Sequence, residues 1–407
     1  MRLRRAAFAA GIAVLGTGAS AAQPPLPEGP GKAIVEAACG RCHGLETVTR
    51  AGYSRSEWRT RVSMMVNVGA KLAPADVDTV VDYLARGFPE RATPQPALLA
   101  GGAKVDFHEW TVPTAGSRPH DPLAAHDGSL WYTGQFANVL GRLDPATGRI
   151  REFHLPTENS GPHGLVEDRA GNIWFTANFK GYIGKLDPAT GKVTEYPMPD
   201  AAARDPHTPV FDGDGILWFT VQSGNFVGRL DPKTGDVKLV RSTTPRSRPY
   251  GMRVDAKGVP WFVEFGANKV ARIDPHTMAI REYELPDRAS RPRRLAITRD
   301  GAIWFTDYAR GALGRLDPAT GKVTEWPSPS GGRSEPYGIL ADGDILWYSE
   351  SGVKPNTLVR FDPREGKFQS WAIPSGGGVV RHMMLAPDGK LALALSGVDA
   401  VALVEKR

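Results

Sequence analysis

"IWFTANFKGYIGKLDPATGKVTEYPMP", residues 173–199, carries the pattern from which the fold of this chain can be read. Three short apolar and aromatic runs are separated by tight punctuation, and the runs are too short for helices but suit strands. The punctuation between the second and third is Asp187-Pro188-Ala189-Thr190-Gly191, a turn in which proline presets φ and glycine accepts a positive φ. The aromatic run recurs with a period of about 43 residues, headed by Trp131, Trp174, Trp218, Trp261, Trp304 and Trp347. The Asp-Pro turn recurs with it after Leu143, Leu186, Leu230 and Leu316, and in looser form after Ile273 and Phe361. A repeat of this length with four short strands is the signature of a β-propeller blade.

The first strand of each repeat opens just after "RPH", "GPH", "DPH", "RPY", "RPR", "EPY" and "VRH", which gives seven blades. The seventh repeat runs out after its third strand, at "AVALVEKR". A spare strand, "VDFHEWTVP" at Val105 to Pro113, stands ahead of blade one. Pairing the two ends would close the ring and remove two exposed sheet edges. The expected fold is therefore mainly β, a seven-bladed propeller over 105–407, behind a small all-α domain.

That small domain follows a different pattern. Residues 1–22 read as a signal peptide: Arg2, Arg4 and Arg5 precede a short apolar run with an Ala-x-Ala-like exit. Residues 23–30 form an extension, 31–88 a helical module and 89–104 a Pro- and Gly-rich linker. The apolar run is too short to cross a bilayer, and no later segment is long enough, so the expectation is an exported, periplasmic monomer without a transmembrane segment. A leader bearing three arginines and no acid would halve the formal net charge of +6 on removal, too weak a surplus to suggest nucleic acid as a partner.

Both cysteines of the chain lie in "ACGRCHGL", as Cys39, Cys42 and His43. In an exported protein a disulfide or a zinc site would be the plain alternatives. His43 follows directly, however, and no second ligand pair for zinc exists, so the spacing points to one covalent haem c, with Cys39 and Cys42 as thioethers and His43 as an axial ligand. Ser54 with Glu57 opens the next helix as a capping box. At 100° per residue Met65 shares a face with Trp58 and Val62 while Met64 points away, which makes Met65 the expected second axial ligand. The module resembles a small monohaem cytochrome c.

On the propeller, the strand-opening motifs present His120, His163, His207, Tyr250, Arg293, Tyr337 and His382 in one circle at the channel mouth. A second circle follows thirteen or fourteen residues on: Gly134, Ala177, Val221, Glu264, Asp307, Glu350 and either Leu395 or Ser396. This reading makes the mouth lopsided, with imidazoles opposite three acids. Any single histidine there is explained by a hydrogen bond to the next blade, and the tryptophans by core packing. Four histidines and three acids at one opening point instead to a ligand, with metal or acid/base chemistry.

The repeat "PHG(I/L)…DG.(I/L)WFT…IG(R/K)LD" resembles the streptogramin B lyases, the virginiamycin B lyase family, over residues 105–407. The resemblance implies a seven-bladed propeller and magnesium-dependent elimination that opens a cyclic depsipeptide. It implies a catalytic set in the last blade, Glu-Pro-His-Gly and a second Glu after the aromatic block, assisted by a histidine of the preceding blade and a tyrosine of the first. Carried over by position, His382 matches the last-blade histidine, but Val380 and either Leu395 or Ser396 replace the glutamates. Tyr337 stands where the preceding blade has histidine, and His120 where the first has tyrosine. Blade six keeps the acids, as Glu335-Pro336-Tyr337-Gly338 and then Glu350. Glu335, Tyr337, Glu350 and His382 are thus the candidate catalytic residues, with Mg²⁺ as the implied ion.

The favoured reading is an exported haem protein, passing electrons to or from a periplasmic partner while the propeller mouth binds a small molecule. The alternatives are a lyase of the streptogramin type and a haem-bearing binding module without catalysis.

Overall fold

The computed structural model describes residues 26–40, 45–49, 51–67 and 70–407. The leader at 1–22 and, within the expected haem motif, Cys42 and His43 lie outside them. The chain divides into two compact units, 1–91 and 92–407.

In the first unit the described residues form four short helices, α1 (Lys32–Cys39), α2 (Glu46–Thr49), α3 (Arg55–Asn67) and α4 (Val77–Gly87), the last entered through a 3₁₀ turn at Pro74–Asp76. The capping box forms: the Glu57 carboxylate accepts from the Ser54 N–H at 3.0 Å, and the Ser54 hydroxyl accepts from the Glu57 N–H at 3.3 Å. Trp58 and Val62 of α3 pack with Val80, Val81 and Leu84 of α4 in one apolar cluster, and the Trp58 indole donates to the Phe88 carbonyl at 2.9 Å. Met65, one turn beyond Val62, is half-buried, as is Cys39 at the end of α1. No helix among the described residues is long and apolar enough to cross a membrane.

The second unit consists of seven four-stranded antiparallel sheets. Blades one to six run in sequence order: 119–154, 162–197, 206–241, 249–284, 292–327 and 336–372. Blade seven takes Val380–Leu385, Leu391–Leu395 and Ala400–Lys406, and its outer strand is Val105–Thr111, paired from Val105↔Lys406 to Thr111↔Ala400. The first and last strands of the propeller thus lie side by side, and the closing strand covers an edge that would otherwise be open. Residues 94–104 are no slack tether. Their backbone bonds to Ser330 ahead of blade six, to Lys354 and Ser370 within it, and to Arg407 after the last strand.

The repeat chemistry explains the blades. The second strand of each of the first six blades carries an aromatic pair: Trp174 faces the neighbouring blade, and its indole is satisfied by Asp168 at 2.7 Å, as Trp218 is by Asp212 and Trp261 by Asp255. Phe175 lies flat over Gly184 of the third strand, where an added Cβ would come within 2.1 Å of the ring. Adjacent blades are stitched at the inner end by threonine: the Thr133 hydroxyl donates to the His163 carbonyl, Thr176 to His207, Thr220 to Tyr250 and Thr306 to Tyr337. These bonds set the inner strands side by side and fix the ring at the channel mouth.

Candidate functional site

In each of the first six blades a proline opens the inner strand and pairs with the end of the second strand, and in blades one, two, four and six a left-handed residue precedes it, φ 53° at Arg118, 60° at Gly161, 55° at Arg248 and 47° at Glu335. The residue after the proline then points into the channel. In blade seven the left-handed residue is Val379, φ 87°, and Val380 makes the pairing, with Leu395. The ring position in that blade therefore belongs to Arg381, and His382 falls one residue deeper, which corrects the expected circle by one place. The expected carry-over shifts with it: Val379 and Leu395 occupy the glutamate positions, and Arg381 that of the last-blade histidine. The sequence hid this because blade seven lacks the entering proline and the tryptophan that mark the other six.

The ring is consequently His120, His163, His207, Tyr250, Arg293, Tyr337 and Arg381. Four of these rings follow one another closely, with centroids 3.6 Å apart for His120–His163, 3.7 Å for His163–His207 and 3.9 Å for His207–Tyr250. The Tyr250 and Tyr337 hydroxyls share a short hydrogen bond. The Arg293 guanidinium lies 3.9 Å over the Tyr337 ring and 4.2 Å over Tyr308, and Arg381 approaches the Tyr337 ring at 5.8 Å from the other neighbouring blade.

One residue deeper, Asp121, Thr208, Arg294 and His382 form a polar layer; sequence reasoning placed His382 in the ring instead and missed the other three, although each simply follows a ring residue. Arg294, 2 % exposed, donates to Asp121 at 2.9 Å, to Thr208 at 3.3 Å and to the Arg381 carbonyl at 3.2 Å. It joins blade five to blades one, three and seven across the channel. Arg253 of blade four contacts His382 Nε2 at 3.3 Å.

The three acids of the expected second circle do not face this channel. Glu264, Asp307 and Glu350 are fully buried and bond to the connections that enter their own blades, Glu350 also to Thr357 of its third strand. Glu264 accepts from Ser242, Asp307 from the Arg291 N–H, and Glu350 from Ser328, Ser330 and Thr357. Glu335 stays at the rim, accepting from the Tyr308 hydroxyl at 2.6 Å. The implied Mg²⁺ does not fit these residues. Magnesium needs hard oxygen ligands, yet apolar Val379 and Leu395 fill the last-blade positions and both Glu350 oxygens are engaged.

The electrostatics follow from burial and from arginine. Burial, reinforced by neighbouring arginines, holds His120, His163, His207 and His382 well below the usual imidazole range, so all four are neutral at pH 7. Burial lifts Asp121 to about 6 against the pull of Arg294. At Tyr337 burial would raise the phenol, but the charges of Arg293, Arg381 and Arg294 overcome it and carry it down to about 7. Its partner Tyr250 is pushed up to about 12, first by burial and then by Tyr337. Of the pair, Tyr337 is therefore the phenol that ionises first.

Four histidines neutral in the fold must take up protons on acid unfolding. Their contribution is complete above the unfolded pKa of about 6.5 and is lost as pH falls, by about 1.4 kcal/mol per histidine per pH unit. Asp121 works in the opposite sense between about 4 and 6 and offsets one of them. Urea midpoints measured between pH 7.5 and 5 should fall steeply, and a flat profile would show that these imidazoles are charged or solvated in the fold.

The second unit is thus a seven-bladed propeller with a largely buried ring of titratable side chains at its channel mouth. The sequence model of the virginiamycin B lyase family matches residues 100–349, and the chain belongs to that family. The match stops short of blade seven, where the ring departs from the expected pattern. A streptogramin B lyase structure is 26% identical, with a TM-score of 0.68, over 74% of this chain and 98% of that one. A catalytically inactive histidine-to-alanine variant of Staphylococcus aureus virginiamycin B lyase with quinupristin is 23% identical, with a TM-score of 0.68, over 74% and 99%. Hydrazine synthase of Kuenenia stuttgartiensis shares the fold alone, at 16% identity and a TM-score of 0.59 over 72% and 96%. No curated protein is similar enough to the chain to count as a match.

Proposed function

We propose that the propeller is a lyase-type site that works without magnesium and uses Tyr337 as its base. The observation that carries this is the placement of the Tyr337 phenol between Arg293 and Arg381, where the family resemblance leads one to expect histidine. The phenolate oxygen takes the proton from a carbon beside a carbonyl. The C–H electron pair becomes a C=C bond, and the C–O bond on the adjacent carbon breaks, releasing a carboxylate. The two guanidiniums stabilise the charge that develops on the carbonyl oxygen. The test uses the full chain with N-acetyl-O-benzoylthreonine, whose elimination yields benzoate and an absorbing dehydroamino acid without hydrolysis. Turnover insensitive to EDTA supports the reading; no turnover, or turnover that requires Mg²⁺, overturns it.

The leader and the Cys39-x-x-Cys42-His43 motif support a second element, an exported helical module carrying one haem c that exchanges electrons with a periplasmic partner. Half-buried Met65, one turn beyond core residue Val62 on α3, supports its assignment as the second axial ligand. Protein matured with covalent haem should lose its sulfur-to-iron charge-transfer band on Met65→Ala, with a lower reduction potential. Loss of the band on Met64→Ala instead would refute the assignment.

A further inference from the structure

Formal charges around the channel do not balance. Arg294 has Asp121 as its partner, but among the described residues no carboxylate lies within ion-pair distance of Arg253, Arg293 or Arg381. Arg253 makes its hydrogen bonds to His382 and the Met252 carbonyl, and Arg293 is enclosed by aromatic faces. The surplus acts on its own members, since burial and the Arg294 charge push Arg253 down to about 10. Among the buried side-chain atoms of the described residues that have no partner are four of the ring and the layer beneath it: Nε of Arg293 and of Arg381, and Nδ1 of His163 and of His382. His163 is 3 % exposed and belongs to the same ring as Arg293 and Arg381. Such a cluster is costly in a poorly solvated channel unless an anion completes it. Ringed about the same end are partly exposed aromatics, with Phe136 and Phe179 6.3 Å apart and Phe265 and Tyr308 6.0 Å apart.

We infer that the channel mouth takes a small organic carboxylate with an apolar or aromatic body, its head drawn to the Arg293 and Arg381 guanidiniums that flank Tyr337 and its body against the aromatic rim. The fork of a guanidinium matches a carboxylate, and neutral imidazoles add donors without adding charge. The same surplus repels a divalent cation, so the mouth is an anion site on a scaffold for which the family resemblance implies a magnesium site. This deepens the proposed function, since it rests on the same ring, but binding can be measured without turnover.

The experiment is isothermal titration calorimetry of the full chain in a chloride-poor buffer, with sodium benzoate and its neutral isostere benzamide as probes. Benzoate should bind at least about tenfold tighter than benzamide, the least a charge-assisted hydrogen bond contributes. Mg²⁺ should not alter the benzoate isotherm. Arg381→Gln, or Arg381→Lys should the first variant fail to fold, should weaken benzoate, about tenfold for glutamine, and leave benzamide unchanged. Bound benzoate should also raise the pH midpoint of the Tyr337 phenolate, because it neutralises the field that depresses it; benzamide should not. Equal affinity for the two probes, binding of neither, a requirement for Mg²⁺, or full benzoate affinity in a folded variant would overturn the inference. Benzoate binding without elimination would retain the ligand class and reject the lyase reading, and elimination without benzoate binding would do the reverse.

Discussion

Replacing Arg294 by methionine should cost the propeller about 3–5 kcal/mol, the usual loss when one partner of a buried ion pair is removed. The reason is its position. Arg294 is 2 % exposed and ties Asp121 of blade one, Thr208 of blade three and the Arg381 carbonyl of blade seven to blade five. Without it the Asp121 carboxylate is buried beside His120 with no strong cationic partner. Asp121 is already lifted to about 6, so the variant should suffer less at pH 5, where that carboxyl takes up a proton, than at pH 8, where it cannot. Asp121→Asn should recover part of the loss in the double variant, because the orphaned charge goes with it. Urea unfolding of the four proteins measures this. A single-variant loss below about 1 kcal/mol would show that the channel layer is solvated and that blade packing alone holds the ring.

Tyr337→Phe should lower elimination of N-acetyl-O-benzoylthreonine by about 10²–10⁴-fold, the usual contribution of a positioned general base. Phenylalanine keeps the ring between Arg293 and Arg381 and removes only the oxygen. A base held near 7 should also make the wild-type rate rise through neutral pH and level off above it. Retention of most of the rate in the variant would move the base elsewhere in the ring. Tyr250→Phe supplies the contrast: with the Tyr250 phenol pushed up to about 12, its own proton is never lost at neutral pH. Its hydroxyl can donate to the Tyr337 oxygen, so removing it should raise the Tyr337 midpoint rather than abolish the reaction.

The architecture was legible because the markers repeat. Tryptophan at the head of six second strands and Asp-Pro turns gave the blades, and the surplus strand at Val105 gave the closure that pairs it with Ala400–Lys406. Six of the seven ring residues were legible for the same reason, since a proline precedes each. The seventh was not. In "SGGGVVRHMM" the entering proline is Val380, three glycines precede it, and the eye is drawn to His382 although the backbone presents Arg381. Nor could periodicity say which way a side chain is spent: Glu264, Asp307 and Glu350 recur in register with the ring, yet their carboxylates anchor connections between blades. Arg253 escaped notice because its counterparts along the other inner strands are apolar, Leu123, Val166 and Val210, each paired with the blade tryptophan. For the helical module the decisive motif includes Cys42 and His43, which lie outside the described residues.

The claim on which the rest depends is that the Tyr337 phenol ionises near neutrality in the field of Arg293 and Arg381. Ultraviolet difference titration of the full chain against Tyr337→Phe isolates the tyrosinate band of this one residue, against ordinary tyrosines that ionise near 10. The account predicts a single proton lost with a midpoint of about 7, moving upward in Arg381→Gln. A midpoint at or above 10, unmoved by that substitution, would contradict it.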